Sequence, residues 1–136
     1  MAITLTGGCF CGALRFEADG PIHMRGLCLC RTCQRISGGA GNLFIGLEAD
    51  GFRYTEGEPQ RFARAAGAPT REFCARCGTH VAARSPRAPG GVIVKVGALD
   101  DPADFEGPSL VVWTEEAQAF HTLPAGVPAH PRLPGR

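Results

Sequence analysis

The sequence predicts a mostly-β domain with only short helical turns, and three observations point that way. Gly (19) and Pro (11) fill 30 of 136 positions, a density that interrupts helices and supplies many turns. Short apolar or alternating runs recur at close intervals, with no long alanine- or leucine-rich stretch among them. Seven cysteines fall into three tight clusters, an excess over what a small core uses as filler. A chain of this length builds one domain and buries about two-thirds of the surface its unfolded form exposes.

Taken in order, residues 12–18 alternate loosely, residues 43–47 form an apolar run, and residues 52–55 alternate bulky with polar side chains. Residues 70–74 lead into a cysteine pair and residues 79–83 lead away from it. Residues 92–96 and 110–113 are the most β-branched segments and the strongest strand candidates. Turn signals separate them at Asp19-Gly20-Pro21, Asp50-Gly51, Glu56-Gly57, residues 86–91 and Asp100-Asp101-Pro102. Helix is expected only over residues 31–37 and 101–105. The domain is read as residues 1–123. Residues 124–136 hold four prolines and are expected to form a tail, extended over the surface or mobile.

Fourteen basic against thirteen acidic residues leave a net charge of +1, so no strong field calls for nucleic acid or an anionic membrane. Lys95 is the single lysine among fourteen basic residues, a bias attributed to genome composition. The first residues lack the basic and apolar regions of a secretory signal, and no run is long enough to span a membrane. A cytoplasmic location with reduced thiols is expected, and an odd cysteine count fits a full set of disulfides poorly.

Metal ligation explains the spacing better. Cys9-Phe10-Cys11 on an extended segment points two sulfurs to one face. Cys74-Ala75-Arg76-Cys77 followed by Gly78 is a zinc-knuckle turn, and Cys28, Cys30 and Cys33 lie within six residues. Four thiolates close a structural zinc site, whereas three leave a position for water or substrate. Seven therefore divides as four plus three, in either of two ways. Cys9 and Cys11 can join Cys74 and Cys77, leaving the triad Cys28, Cys30 and Cys33. Alternatively Cys30 and Cys33 can join Cys74 and Cys77, leaving Cys9, Cys11 and Cys28. The first is preferred because its open site needs no long-range assembly. Neither pair sits in a βαβ pattern, which argues against a thioredoxin-like redox role.

Arg31 and Arg35 flank the triad with Arg25 upstream, and cations there favour thiolates and suit an anionic ligand. Ser37-Gly38-Gly39-Ala40-Gly41 offers backbone N–H groups that could approach such a ligand. His23, His80, His121 and His130 are scattered with no ligand spacing, and Trp113 and Phe120 are read first as core or edge-strand residues and second as the lining of a pocket.

The residues Gly7-Gly8-Cys9-Phe10-Cys11-Gly12-Ala13-Leu14-Arg15-Phe16-Glu17 resemble the opening motif of the glutathione-dependent formaldehyde-activating enzyme and centromere protein V family. Residues 28–38 resemble its central motif, residues 73–79 its third, and Val96-Gly97-Ala98-Leu99-Asp100-Asp101-Pro102 the segment that follows. The likeness spans roughly residues 5 to 123. It implies a compact, zinc-stabilised β-tent related to zinc ribbons and two zinc ions per chain. Cys9, Cys11, Cys74 and Cys77 would hold the structural ion, and Cys28, Cys30 and Cys33 the catalytic one.

The implied activity is that of a carbon–sulfur lyase joining a thiol such as glutathione to a small aldehyde such as formaldehyde. Arg31 and Arg35 would hold a glutathione carboxylate. A non-catalytic zinc-stabilised binding module and a thiol or metal sensor are the rival readings. The chain departs from the family at Leu29, where the central motif often has His. It departs also at Pro108-Ser109-Leu110, where a His often follows the Pro, and at Gln118-Ala119-Phe120, where Pro-Trp is common. These departures bear on the substrate more than on the metal.

Overall fold

The computed structural model of the chain describes residues 3–134. It is mostly β. Ten strands run in chain order as β1 (Ile3–Gly8), β2 (Arg15–Gly20), β3 (Met24–Cys28), β4 (Asn42–Glu48), β5 (Phe52–Glu56), β6 (Gln60–Ala63), β7 (Thr70–Phe73), β8 (His80–Arg84), β9 (Gly91–Lys95) and β10 (Leu110–Val112). One short helix, α1 (Arg31–Ile36), follows β3, and four single 3₁₀ turns complete the elements. The helix expected over residues 101–105 is one of these turns, Pro102–Phe105, capped by the Asp101 carboxylate on the Ala103 N–H at 3.1 Å.

The strands form a small sheet, β1-β2-β5, and a larger one, β10-β3-β4-β9-β8-β7-β6. All pairings are antiparallel except β10 with β3, which lie parallel with Val112 opposite Cys28. Leu5, Phe16 and Phe52 of the small sheet pack with Ile45, Leu47, Val81, Val92 and Val94 of the large one. Each such side chain stabilises the fold by about 1.5–3 kcal/mol when fully buried. Phe16 and Phe52 stack with centroids 5.3 Å apart. Gly7 sits where the small sheet crosses the turn Val96–Ala98, and a Cβ there would lie 2.1 Å from the Ala98 carbonyl oxygen.

Glu72 on β7, 1% exposed, also ties the sheets together. It accepts from the Tyr54 hydroxyl of β5 at 2.6 Å, from Arg84 Nε at 2.9 Å and from Arg61 Nε at 3.2 Å. Burial alone would raise its pKa, but the Tyr54 hydroxyl and the two guanidiniums outweigh that and hold it below the ordinary value.

Residues 12–14 were expected to begin a strand. They belong instead to the turn that closes on Cys9, where the Leu14 N–H donates to the Cys9 sulfur at 3.2 Å. Residue 96 leaves its strand for a 3₁₀ turn, because the chain bends there to meet Gly7. The C-terminal residues run along the free side of β10. The Val111 N–H donates to the Pro128 carbonyl and the His130 N–H to the Val111 carbonyl, both at 2.9 Å. Arg132 pairs with Glu115 at 2.7 Å and lies over the Trp113 ring.

Candidate metal centres and ligand cavities

The seven thiols are all free and gather into two groups. The sulfurs of Cys9, Cys11, Cys74 and Cys77 lie within 4.8 Å of one another, and so do those of Cys28, Cys30 and Cys33. This grouping corresponds to the first of the two partitions open from spacing.

In the four-sulfur group, Cys9 and Cys11 follow β1 and Cys74 and Cys77 occupy the turn between β7 and β8. Gly78 takes a φ of +79°, open to glycine without strain, and lets its N–H return to the Cys74 carbonyl at 2.8 Å. The Cys77 N–H lies 3.5 Å and the Arg76 N–H 3.4 Å from the Cys74 sulfur. The Thr79 hydroxyl joins the two segments, accepting from the Phe10 N–H at 3.1 Å and contacting the Cys77 sulfur at 3.2 Å. That hydroxyl and the Thr79 backbone push the Cys77 thiol down to about 5. Cys9 and Cys11 sulfurs are 3.6 Å apart and those of Cys11 and Cys74 3.8 Å. A tetrahedron with bonds of about 2.3 Å to sulfur has edges of about 3.8 Å. Four soft donors at that spacing can hold a zinc ion.

The three-sulfur group straddles the end of β3 and the start of α1. Cys28 is fixed by its pairing opposite Asn42. Cys30 is the N-cap of α1, its sulfur accepting from the Cys33 N–H at 3.3 Å, and Cys33 sits on the buried face of the helix. Leu29 points into the core, so its side chain gives the group no polar contact. Hydrogen bonds from the Cys28 and Cys33 thiols push Cys30 down to about 2, while the same contact drives Cys28 upward. Gln34, on the buried face of α1, donates to the Leu29 and Glu116 carbonyls, both at 2.8 Å, and accepts from Arg31 and Gln118. Three soft thiols on one side of a cavity can hold a metal ion with a position left over.

Three cavities converge here. One of about 270 Å³ reaches the three sulfurs and is walled by Asn42, Arg71, Arg84, Trp113 and Leu133. A second, about 620 Å³, is lined by Arg31, Arg35, Arg64 and Arg71 with Phe62 and Phe73. Arg71 faces both. A third, about 360 Å³, contains Lys95, His80, Thr79, Ser37 and Asn42. Arg31 and Arg35 thus open onto the space beside the sulfurs rather than onto the sulfurs themselves.

Several surrounding residues depart from expectation. Arg25 pairs with Glu106 at 3.5 Å. The backbone of residues 37–41 spends N–H groups internally: Gly39 donates to the Gln34 carbonyl at 2.7 Å and Gly41 to the Ser37 hydroxyl at 2.9 Å. His121 anchors that loop through the Gly39 carbonyl at 2.7 Å. Trp113 walls the sulfur cavity and Phe120, exposed, lines a cavity beside residues 38–40, so for both the second reading, pocket lining, holds over the first.

Sequence reasoning missed Arg64, Arg71 and Lys95 as cavity residues. Lys95 had a visible signal, a charge inside the β-branched run Val92-Ile93-Val94-Lys95-Val96. Burial, then repulsion from Arg71, pushes its ammonium down to about 8 against attraction from the three thiols. Among the described residues no helix is long and apolar enough to cross a membrane.

A family model described as glutathione-dependent formaldehyde-activating enzyme matches residues 4–116. The fold is similar to a crystal structure of a Rhodobacter sphaeroides protein, with a TM-score of 0.60 and 20% identity over 73% of this chain and 93% of that one. A search of curated proteins finds no match.

Proposed function

Because the chain belongs to the glutathione-dependent formaldehyde-activating enzyme family, we propose that it is a zinc-dependent carbon–sulfur lyase acting on a glutathione-like thiol and a small aldehyde. The supporting observation is the three-sulfur group at the floor of a cavity that adjoins an arginine-lined one. Cys28, Cys30 and Cys33 would hold the catalytic zinc, and Cys9, Cys11, Cys74 and Cys77 the structural one. When bound at the triad, zinc supplies Lewis acidity and a soft partner for a thiolate.

The chain's own residues do the rest. Arg31, Arg35, Arg64 and Arg71 surround a space of about 620 Å³, within the range of about 300–1,000 Å³ typical of small-molecule sites. Guanidiniums bind carboxylates in a fixed fork, so they orient a peptide thiol carrying two carboxylates. Arg71, shared by both cavities, sets the direction from that space toward the sulfurs. Phe62 and Phe73 cover the apolar stem of the ligand. In the forward reaction the thiolate sulfur adds to the aldehyde carbon and a C–S bond forms. The C=O π pair moves to oxygen, which takes up the proton the thiol gave. The reverse breaks the same bond. Seven free thiols suit a reducing compartment such as the cytoplasm.

The test is thiol-dependent adduct formation with a panel of thiols and aldehydes, on protein analysed for two zinc ions per chain, with the uncatalysed rate subtracted. Acceleration above background that disappears in Cys30→Ser supports the proposal. Fully loaded protein with no rate above background refutes it in favour of a binding module, and a stoichiometry of one zinc removes the catalytic site.

A further inference from the structure

We infer that the cavity containing Lys95 and His80 is a carboxylate-binding subsite, and that the aldehyde taken at the triad is a small oxo acid rather than formaldehyde alone. The second clause rests on the thiol–aldehyde reading above.

Lys95 on β9 is 7% exposed, and its Nζ has no hydrogen-bond partner among the described residues. A buried ammonium without a partner costs several kcal/mol, so such a group persists where a ligand completes it. No acidic side chain lines the cavity; its polar walls are Ser37, Asn42, Thr79, His80 and Lys95. His80 Nδ1 is the second buried atom there without a partner. Its ring is fixed by stacking on Phe73, centroids 5.6 Å apart and planes 19° apart. Lys95 and His80 line one space and each carries an unsatisfied buried nitrogen, and both nitrogens can donate to an oxyanion such as a carboxylate.

The position of this space selects the ligand. Asn42 lines both it and the sulfur cavity, and Asn42 lies opposite Cys28 in the β3–β4 register. A carboxylate at Lys95 therefore sits one side chain away from the cavity over the thiols. A ligand that serves both spaces carries its carbonyl and its carboxylate in one small molecule, as an oxo acid such as glyoxylate does. Formaldehyde has no carboxylate to offer Lys95. The thiol's own carboxylates have the four arginines of the neighbouring cavity, which shares Ile36 and His80 with this one.

Zinc-loaded full-length protein is titrated with glycolate, which has the carboxylate but no aldehyde, by calorimetry and by NMR of the His80 ring. Saturable binding that shifts the His80 signals and weakens at least tenfold in Lys95→Met is expected, with Lys95→Arg retaining part of it. Turnover is then compared for glyoxylate and formaldehyde, each with glutathione and with neutral 2-mercaptoethanol. The ratio of kcat/KM for glyoxylate over formaldehyde should fall at least tenfold in Lys95→Met with either thiol. A fall confined to glutathione assigns Lys95 to the thiol's carboxylate and overturns the oxo-acid claim. Wild-type protein that turns over formaldehyde but does not bind glycolate refutes the subsite and leaves the thiol–aldehyde reading standing. Glycolate binding without turnover of either aldehyde refutes that reading and the oxo-acid claim, and keeps the subsite. Zinc loss in Lys95→Met with glycolate binding unchanged makes Lys95 a counter-charge to the thiols and overturns the inference.

Discussion

Replacing Cys77 with serine should destabilise the protein far more than replacing Cys30, because the two sulfur groups close loops of very different size. Cys11 and Cys74 are 63 positions apart in sequence, yet their sulfurs lie 3.8 Å apart. Cross-linking a loop of that length removes about 4 kcal/mol of chain entropy from the unfolded state, and a loop the size of residues 28–33 about 2 kcal/mol. With an unfolding entropy of about 2.1 cal/mol/K per residue, 4 kcal/mol corresponds to a fall in Tm of about 14 °C. That is a lower bound, since structural zinc contributes on the order of 10 kcal/mol to small domains. Cys30→Ser retains the pairing of Cys28 with Asn42, and the serine hydroxyl can cap α1 as the thiol does. Its Tm should fall by no more than about 7 °C. Thermal unfolding by circular dichroism on protein of measured zinc content reads both values. Equal falls in the two variants would overturn the division into a structural and an open centre.

Glu72→Gln puts an amide against two guanidiniums and should cost about 3 kcal/mol, or about 10 °C in Tm. Because the folded pKa of Glu72 lies below its ordinary value of 4.5, its contribution is complete above that value and is lost as pH falls through the folded one. Urea midpoints of wild type and variant should therefore converge in acid; a constant gap down to pH 3 would contradict this. Gly7→Ala forces a Cβ against the Ala98 carbonyl and the Phe16 ring and should lower stability by about 1–3 kcal/mol, read as a shift in urea midpoint at constant slope. Arg71→Met should raise the KM for a carboxylate-bearing thiol about tenfold and change kcat less than threefold. A loss confined to kcat would move Arg71 from holding the thiol to the chemistry.

The cysteine groups were legible because ligand spacing is local: a C-x-C or C-x-x-C already brings its sulfurs near one another, whatever the rest of the chain does. β4, β5 and β9 were legible because their apolar patterns carry residues that face the core. β6 was not: all four of its residues are exposed, so Gln60 to Ala63 carry no burial pattern to read. β3 was hidden by Arg25 and Gly26 in the middle of a five-residue strand. The cavity residues were hidden for another reason. Arg31, Arg64 and Arg71 meet only because β6 and β7 fold back beside α1, and nothing local announces that meeting. Lys95 shows how a real signal can be misread. Its rarity was attributed to composition, when its place inside a buried strand was the informative fact.

The parallel pairing of β10 with β3 and the docking of residues 128–132 on β10 have a consequence for order in time. A ribosome delivers the triad complete once residue 33 has emerged, while the stretch from residue 34 to residue 77 has still to follow. At about 5–20 residues per second, the chain spends a few seconds displaying five cysteines without the pair that completes the four-sulfur group. During that interval Cys9 and Cys11 have only the triad as company, so a metal ion captured early can bridge the wrong thiols. Trp113 and Leu133, which wall the sulfur cavity, are made last. A centre that takes up metal this early would be loaded before it is enclosed, and correct sorting of such ions would depend on how fast they exchange while the later strands arrive.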